Sequence, residues 1–208
     1  MRPAALLLAC SLVAGACSST VQQGPTVAIV GDSITRVAGH QLRSELRYYG
    51  LNIHAQDQQR IDEMIPQLRG QLGQRPDAVV INLGTNDAIQ AHKHPDWHTG
   101  FTTVWRLVSG RKCVVYATIN TYVDQLYGHD TVAAQINSAI RTLAAHHKNV
   151  RVVDWNAAVH ANRKLLANGK YAGDMIHPLV PRAWDWFGKH YKAALLSCGL
   201  RADPPSRN

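Results

Sequence analysis

The sequence contains few charged residues, no internal repeat and no low-complexity segment. Charged residues make up 17% of its 208 positions, and hydrophobic residues make up 46%. Disordered chains are richer in charge and poorer in apolar side chains. The apolar stretch at the N-terminus is also shorter than the about 20 residues that a helix needs to span a bilayer. These features argue against a disordered or membrane-spanning protein and predict one compact domain.

The sequence also lacks a concentrated block of basic residues, although its formal net charge is +8. Lysine and arginine are scattered in short stretches, and no aromatic residues alternate with them as in nucleic-acid-binding motifs. The distribution fits a solvated surface or contact with an anionic cell envelope. We therefore expect no nucleic-acid partner.

The N-terminal segment MRPAALLLACSLVAGAC (1–17) has the layout of an export signal. A positive charge at Arg2 precedes a short apolar run that ends in small residues, as in secretory signal peptides. We predict a signal peptide over residues 1–16 and a polar tether over residues 17–25. The mature protein is then exported, and is either secreted or held at a bacterial cell envelope.

Cys17 leaves two forms of processing open. The small residues before it suit ordinary signal peptidase, but the segment also resembles a bacterial lipobox, with Ala14 where leucine is usual. Lipidation of Cys17 would give a membrane tether and would leave Cys113 and Cys198 as an even pair. These two either form a disulfide in an oxidising compartment or remain buried thiols.

The rest of the chain alternates apolar, β-branched runs with segments of helical spacing, one of which is formed by Ile61, Met64, Ile65 and Leu68. Near-continuous apolar strands that alternate with helices predict a parallel sheet covered on both faces. We therefore predict an α/β fold, a three-layer α/β/α sandwich around a five-stranded parallel sheet, over residues 26–200, with a tail over 201–208. The predicted strands are 26–30, 51–55, 77–83, 113–119 and 150–155, and the last helix is 180–196.

Polar clusters follow the predicted strands or precede the last helix. Ligands of such sheets bind beyond the carboxyl ends of the strands, so the fold is expected to bring these clusters to one edge. The clusters are Gly-Asp-Ser (31–33), QDQQR (56–60), GTND (84–87) and GDMIHP (173–178).

This combination resembles the GDSL-type or SGNH hydrolase family, whose fold is flavodoxin-like. The resemblance implies that Ser33 is a nucleophile and that Asp174 and His177 complete a catalytic triad. It also implies that Asn86 donates to the oxyanion, and that neither a cofactor nor a metal ion is required.

The residue types suit this chemistry independently of the resemblance. A serine hydroxyl needs a base, and a neutral imidazole is well poised near pH 7. His177 can act on Ser33 if Asp174, three residues earlier, accepts its other ring N–H. The G-x-S-x-G motif of α/β-hydrolases is absent, which disfavours that class.

Of the hydrogen-bond donors that the family uses to stabilise the oxyanion, one has no exact counterpart in this sequence. The backbone N–H of Ser33 lies where a helix is expected to begin, and Asn86 offers a side-chain amide. The family's second block normally supplies a glycine N–H, but here Gln59 is aligned with that glycine. Glutamine has an N–H but does not adopt a positive φ as easily as glycine, which leaves room for a weakened activity.

The sequence predicts a serine esterase that hydrolyses or transfers acyl groups. The absence of a long apolar lid loop favours short-chain esters over bulk lipid, including O-acetyl groups of envelope carbohydrate. A non-catalytic envelope lipoprotein that binds glycan or a partner protein is the alternative. On that view Asn86 caps a helix, Asp174 and His177 form a structural turn, and Ser33 bonds to the backbone.

The remaining polar and aromatic residues have structural and functional interpretations that both remain open. Asp32 and Asp87 are expected to order their loops. Segment 88–99 is expected to form one wall of the cleft. Its histidines suit a metal in principle, but no carboxylate or cysteine completes a ligand set at helical spacing. Three aromatic residues serve either as a substrate platform or in packing: Trp97, Tyr122 and Tyr127.

Overall fold

The computed structural model describes residues 24–128, 131–166, 174–179 and 182–202. The predicted signal peptide, Cys17, the tether up to residue 23 and residues 203–208 of the tail lie outside this part of the chain. Within it, five strands alternate with eight helices. The strands are β1 (Thr26–Gly31), β2 (Gly50–Ala55), β3 (Ala78–Asn82), β4 (Cys113–Ala117) and β5 (Val150–Val153). The helices are α1 (Ser33–Glu45), α2 (Ile65–Leu72), α3 (Thr85–Ile89), α4 (Trp97–Val108), α5 (Tyr122–Tyr127), α6 (Val132–His146), α7 (Trp155–Ala161) and α8 (Arg182–Ser197).

The five strands form one parallel sheet in the order β2-β1-β3-β4-β5. The chain passes outward from β1 to β2 and then returns across β1 to β3. The connections that follow β1 and β3 therefore leave in opposite directions, which opens a crevice beyond the carboxyl ends of these two strands. The predicted parallel α/β sheet is confirmed, and its topology locates the site between β1 and β3.

The sheet is covered by helices on both faces. In β1, Ala28 and Val30 pack on the side of α2, α4 and α6, whereas Val27 and Ile29 pack on the side of α1, α7 and α8. This alternation follows from the two-residue period of a strand. All residues of β3 and β4 are buried, while the edge strand β2 is half-buried throughout. The three-layer prediction is confirmed.

One helix is shorter than its apolar spacing predicts. Ile61 and Met64 are fully buried, but α2 begins only at Ile65, and Pro66 occupies its first turn. Proline lacks an N–H and is favoured where a helix begins, so the preceding residues form turns instead. In the described ranges no helix is long and apolar enough to cross a membrane.

A disulfide joins the two cysteines of the predicted domain. Cys113, the first residue of β4, is bonded to Cys198, which directly follows α8, with Cα atoms 5.9 Å apart. Cys113 is fully buried. Of the two interpretations that the sequence leaves open, the structure contains the disulfide, at the end of the sheet opposite to the carboxyl ends of the strands.

Candidate active site

The turn between β1 and α1 presents Ser33 at the start of a helix. A Cβ atom at Gly31 would lie 2.0 Å from Oγ1 of Thr35, so this position accepts only glycine. Asp32 caps α1 by accepting the N–H of Ile34 at 2.9 Å. The backbone N–H of Ser33 has no acceptor among the described residues. It is therefore available as a donor at the positive end of α1.

A chain of hydrogen bonds links Ser33 to His177 and Asp174. The Ser33 hydroxyl lies 2.9 Å from Nε2 of His177, and Nδ1 of the same ring lies 2.6 Å from Oδ2 of Asp174. A carboxylate only accepts, so Nδ1 carries the proton and Nε2 is left to accept from serine. The structure thus brings together three residues that are separated by up to 144 positions in the sequence.

Asp174 also builds the turn that holds His177. Its Oδ1 accepts the backbone N–H groups of Ile176 at 2.9 Å and of His177 at 3.0 Å. Met175 has a left-handed backbone, with φ of 53°. Its carbonyl accepts a 2.7 Å hydrogen bond from the side-chain amide of the buried Asn120, which follows β4. The local carboxylate and one distant amide therefore fix this turn.

Asn86 lies in the first turn of α3, after a glycine that the packing requires. Gly84 has φ of 117°, and a Cβ atom there would lie 2.5 Å from Ile119. Nδ2 of Asn86 donates to the carbonyl of Gln59 at 3.1 Å and approaches Asp32 at 3.5 Å. One of its two hydrogens is thus firmly bonded, and the other has only a long contact.

The loop after β2 contains a left-handed residue. That residue is Gln58, with φ of 62°, one position before the Gln59 that sequence comparison aligns with the missing glycine. Gln58 lines the cleft, whereas the carbonyl of Gln59 accepts from Asn86. Among the described residues, neither backbone N–H has an acceptor. The glycine-like backbone conformation therefore belongs to Gln58.

The polar groups open into a cleft of about 640 Å³. Arg36 and Asp57 form an ion pair at its rim. Ile89 and Ile176 provide apolar surface. The cleft is lined by Ser33, Arg36, Asp57, Gln58, Thr85, Asn86, Ile89, Gln90, His92, Lys93, Tyr127, Ile176 and His177.

Two carboxyl groups behind the cleft have raised pKa values. Burial raises the pKa of Asp32 to about 7; the Ile34 N–H opposes this shift, and the nearby Asp87 adds to it. Burial likewise raises the pKa of Asp87 to about 7, although its carboxyl accepts the N–H of Ile61 at 3.0 Å. Asp32 orders its own turn, as expected, whereas Asp87 bonds to the backbone of Ile61, 26 positions away, and so orders a different loop.

The three candidate platform aromatics lie in different environments. Trp97 is only 5% exposed and packs edge-on against Phe101 in the core. Tyr122 stacks on His160. Tyr127 is 43% exposed and lines the cleft. Of the three, Tyr127 therefore has the position of a substrate platform.

The histidine-rich segment 88–99 is divided between the cleft and its surroundings. His92 and Lys93 line the cleft, His94 lines a neighbouring depression, and His98 stacks on Trp97. The segment contributes to one wall of the cleft, as expected, although α3 and α4 occupy its two ends. Within the described ranges, no group of three His, Cys, Asp or Glu side chains could hold a metal ion.

The sequence places Gln58 and Gln90 at this site only as members of the cluster 56–60 and of segment 88–99, without a role of their own, and it does not indicate Asn120. Asn120 follows β4 at the same sheet edge as the polar clusters, so its position after a predicted strand was an available signal. Gln90 comes one residue after α3, and no motif marks it. Only the folded chain shows that it contacts the loop after β2.

The model of one protein family matches most of the sequence. Residues 11–180 match the model of the GDSL-like Lipase/Acylhydrolase family. No curated protein matches the sequence.

Solved structures share the fold at low sequence identity. The catalytic domain of the peptidoglycan O-acetyltransferase OatA from Streptococcus pneumoniae has 19% identity and a TM-score of 0.63, covering 85% of this chain and 95% of that domain. A catalytic mutant of an acetylxylan esterase from Geobacillus stearothermophilus has 19% identity and a TM-score of 0.55, covering 89% and 98%. The esterase EstA from Pseudoalteromonas has 14% identity and a TM-score of 0.60, covering 83% and 97%.

Proposed function

Because the chain belongs to the GDSL-like lipase/acylhydrolase family, we propose that it is a serine esterase that acts through Ser33, His177 and Asp174. The observation that carries this proposal is the continuous chain of hydrogen bonds from the Ser33 hydroxyl through the imidazole to the carboxylate. It opens into a cleft large enough for a small ester.

In the proposed mechanism Ser33 attacks the ester carbonyl while Nε2 of His177 takes the hydroxyl proton. The tetrahedral intermediate collapses when His177 returns that proton to the leaving alcohol, which leaves an acyl group on Ser33. Water, or a sugar hydroxyl in a transfer reaction, then attacks the acyl carbonyl while His177 takes its proton. The second tetrahedral intermediate collapses as His177 returns that proton to the Ser33 oxygen, which releases the acid or the acylated sugar. Asp174 keeps the imidazole in the required tautomer and stabilises its protonated form.

Three donors are proposed to stabilise the oxyanion. Two of them are the N–H of Ser33, which has no acceptor among the described residues, and the side-chain amide of Asn86, whose contact with Asp32 is long; both residues line the cleft. For the third donor we favour the N–H of Gln58 over that of Gln59, because Gln58 lines the cleft. Removing one such donor typically lowers kcat by about 10²- to 10³-fold.

Reaction of the purified domain with a fluorophosphonate probe, together with p-nitrophenyl acetate turnover, tests the proposal. Wild type is expected to be labelled and active, and Ser33→Ala is expected to lose both properties while keeping its circular dichroism and melting temperature. Ser44→Ala, on an exposed surface away from the cleft, is the matched control. A folded but unlabelled wild type would instead favour the non-catalytic binding protein.

For the substrate, we propose short acyl esters of carbohydrate, with O-acetyl groups as the leading class. Two of the structural relatives are named for acetyl chemistry on peptidoglycan and xylan. In this chain the exposed ring of Tyr127 in the cleft suits stacking against a sugar. Ile89 and Ile176 offer apolar surface in the cleft for the acyl group.

The variant Tyr127→Ala tests whether Tyr127 stacks against a sugar of the substrate or only packs within the fold. We expect the variant to raise KM for an O-acetylated oligosaccharide while leaving kcat/KM for p-nitrophenyl acetate nearly unchanged, since the small ester has no sugar to stack. Equal losses on both substrates would contradict a platform role. A clear rate optimum with long-chain p-nitrophenyl esters would overturn the proposed acyl class.

We also propose that the enzyme works outside the cytoplasm, secreted or tethered through a lipidated Cys17. The N-terminal segment supports export, and the disulfide between Cys113 and Cys198 fits an oxidising compartment. Metabolic labelling with palmitate distinguishes the two forms: incorporation that disappears in Cys17→Ala indicates a lipoprotein. An unlabelled protein in the culture medium indicates secretion.

A further inference from the structure

The loop of residues 57–60, hereafter the oxyanion loop, contains no glycine although Gln58 has a left-handed backbone. A non-glycine residue in that conformation is strained and persists only where its surroundings fix it. Gln58 is exposed, so burial of its side chain does not supply that restraint. The restraint has to come from hydrogen bonds to the backbone of the loop.

Gln90 makes such a bond, and its amide is engaged at both ends. Nε2 donates to the carbonyl of Gln58 at 3.1 Å, and Oε1 accepts from Nη1 of Arg60 at 3.2 Å. A guanidinium only donates and a carbonyl only accepts, so one orientation of the amide satisfies both partners. Gln90 therefore connects the middle of the oxyanion loop to the side chain at its end.

Arg60 is itself held in place. Its side chain is 12% exposed, and its guanidinium forms ion pairs with Asp62 at 3.2 Å and Glu63 at 3.1 Å. Its backbone N–H donates to Glu63 at 2.8 Å. Arg60 thus offers Gln90 a fixed donor, and this determines which end of the Gln90 amide faces Gln58.

The next carbonyl in the oxyanion loop is fixed from the same helix. Gln59 accepts from Nδ2 of Asn86 in α3, while Gln58 accepts from Gln90 at the end of α3. The peptide groups on both sides of Gln59 are therefore oriented by α3. Because peptide groups are planar, fixing the Gln58 carbonyl limits the rotation of the Gln58 backbone.

We propose that Gln90 is a positioning residue that takes over the role of a glycine, holding Gln58 in its left-handed conformation so that the loop N–H stays directed at the oxyanion. This inference rests on the proposed esterase activity. Gln90 acts through the loop backbone, and its effect on catalysis depends on which residue occupies position 58.

Combining Gln90→Met with Gln58→Gly tests this dependence. Gln90→Met keeps the side-chain length but loses both hydrogen bonds, and we expect kcat for p-nitrophenyl acetate to fall by about 10- to 100-fold with little change in KM. In the Gln58→Gly background the same substitution is expected to cost threefold or less, because glycine adopts the left-handed conformation without restraint. Gln135→Met makes the same change at an exposed position of α6. It is the control and should retain wild-type kcat.

Two kinetic outcomes would overturn the proposal. One is wild-type kcat in Gln90→Met, and the other is an equal loss in the Gln58 and Gln58→Gly backgrounds, which would mean that Gln90 acts directly. Hydrogen exchange of the 56–61 amides gives a readout without turnover. Faster exchange in Gln90→Met than in wild type supports the proposal that Gln90 restrains the oxyanion loop, even if the wild type proves inactive. Unchanged exchange contradicts that proposal.

Discussion

Two turns border the cleft, and each contains a non-glycine residue with a left-handed backbone: Gln58 in one and Met175 in the other. They are held in different ways. The Met175 turn is closed largely by its own neighbour Asp174, which accepts two nearby N–H groups. In the Gln58 turn the local carboxylate of Glu63 accepts only the N–H of Arg60, at the end of the loop. The carbonyls of Gln58 and Gln59 are held by side chains about 30 positions away, from Gln90 and Asn86.

The comparison shows how strain near a reactive centre can be supported locally or at a distance. In the Met175 turn the same carboxylate shapes the backbone and contacts the His177 ring, so catalysis and local structure depend on one residue. In the Gln58 turn these tasks are divided between the loop and α3. Substitutions in the first turn should therefore act mainly on chemistry, and those around the second should act through loop geometry.

The largest effect is expected from Asp174→Asn. The new amide oxygen can still accept the N–H groups of Ile176 and His177, so the turn should persist. Its NH₂ group would face Nδ1 and impose the wrong imidazole tautomer, lowering kcat by about 10³- to 10⁴-fold with little loss of stability. Kinetics with p-nitrophenyl acetate measure this.

Asp96→Asn, the same change at the exposed N-cap of α4, serves as the control for this experiment. It should leave kcat unchanged. If Asp174→Asn kept more than a tenth of wild-type kcat, the carboxylate would not set the tautomer.

The disulfide provides a comparison far from both turns. Cys113→Ser combined with Cys198→Ser should lower the free energy of unfolding by about 2–4 kcal/mol, because the bond closes a long loop in the unfolded chain. The kcat of the folded enzyme should remain near that of wild type, since Cys113 lies at the opposite end of β4 from the cleft. Urea unfolding and kinetics in parallel check both parts. A large drop in kcat at full folding would show unexpected coupling to the cleft.

Asn120→Ala tests the distant support of the Met175 turn. The substitution leaves the Met175 carbonyl and the Tyr122 N–H without their partner, which should cost about 1–3 kcal/mol in stability because Asn120 is buried. Chemical denaturation measures the cost. Asn120→Asp keeps the acceptor for Tyr122 but places a buried carboxyl oxygen against the Met175 carbonyl, so it should also lower stability. Unchanged stability in both variants would show that Asp174 alone maintains the turn.

The smallest effect concerns how the folding stability depends on pH through Asp87, which bonds to Ile61 next to the Gln58 turn. The folded pKa of Asp87, about 7, lies above its unfolded value. Between pH 4 and 7 the folded state therefore keeps a proton that the unfolded state has lost, and rising pH removes this stabilisation. Asp87→Asn, whose amide oxygen can still accept from Ile61, should thus gain stability relative to wild type by about 1 kcal/mol or more from pH 5 to pH 8.

Urea unfolding of both proteins at pH 5, 6, 7 and 8 measures this difference. Subtracting the unfolding free energy of wild type from that of Asp87→Asn at each pH removes the contributions of the histidines, which are common to both proteins. A difference that stays constant, or that shifts in favour of wild type as the pH rises, would show that burial does not raise this pKa.

The parts of the fold and site that sequence predicts well depend on short-range patterns. Apolar runs predict the strands, and the three-residue spacing of Asp174 and His177 predicts that one can orient the other. Apolar spacing predicts a helix that begins before Ile65, because it does not register how Pro66 sets a helix start. The family motif matches Gln59 to the missing glycine although Gln58 has the left-handed backbone, because a motif carries no φ information.

By itself, the sequence determined a parallel α/β sheet, the order of its polar clusters and the residue types of a nucleophile, a base and an acid, because these depend on local periodicity and spacing. Only the tertiary structure decided that Gln90 reaches the oxyanion loop, that Asn120 supports the Met175 turn and that Cys113 bonds to Cys198. These contacts join residues 32, 55 and 85 positions apart. Such pairings depend on which strand ends the sheet order brings together, and no local pattern encodes that order.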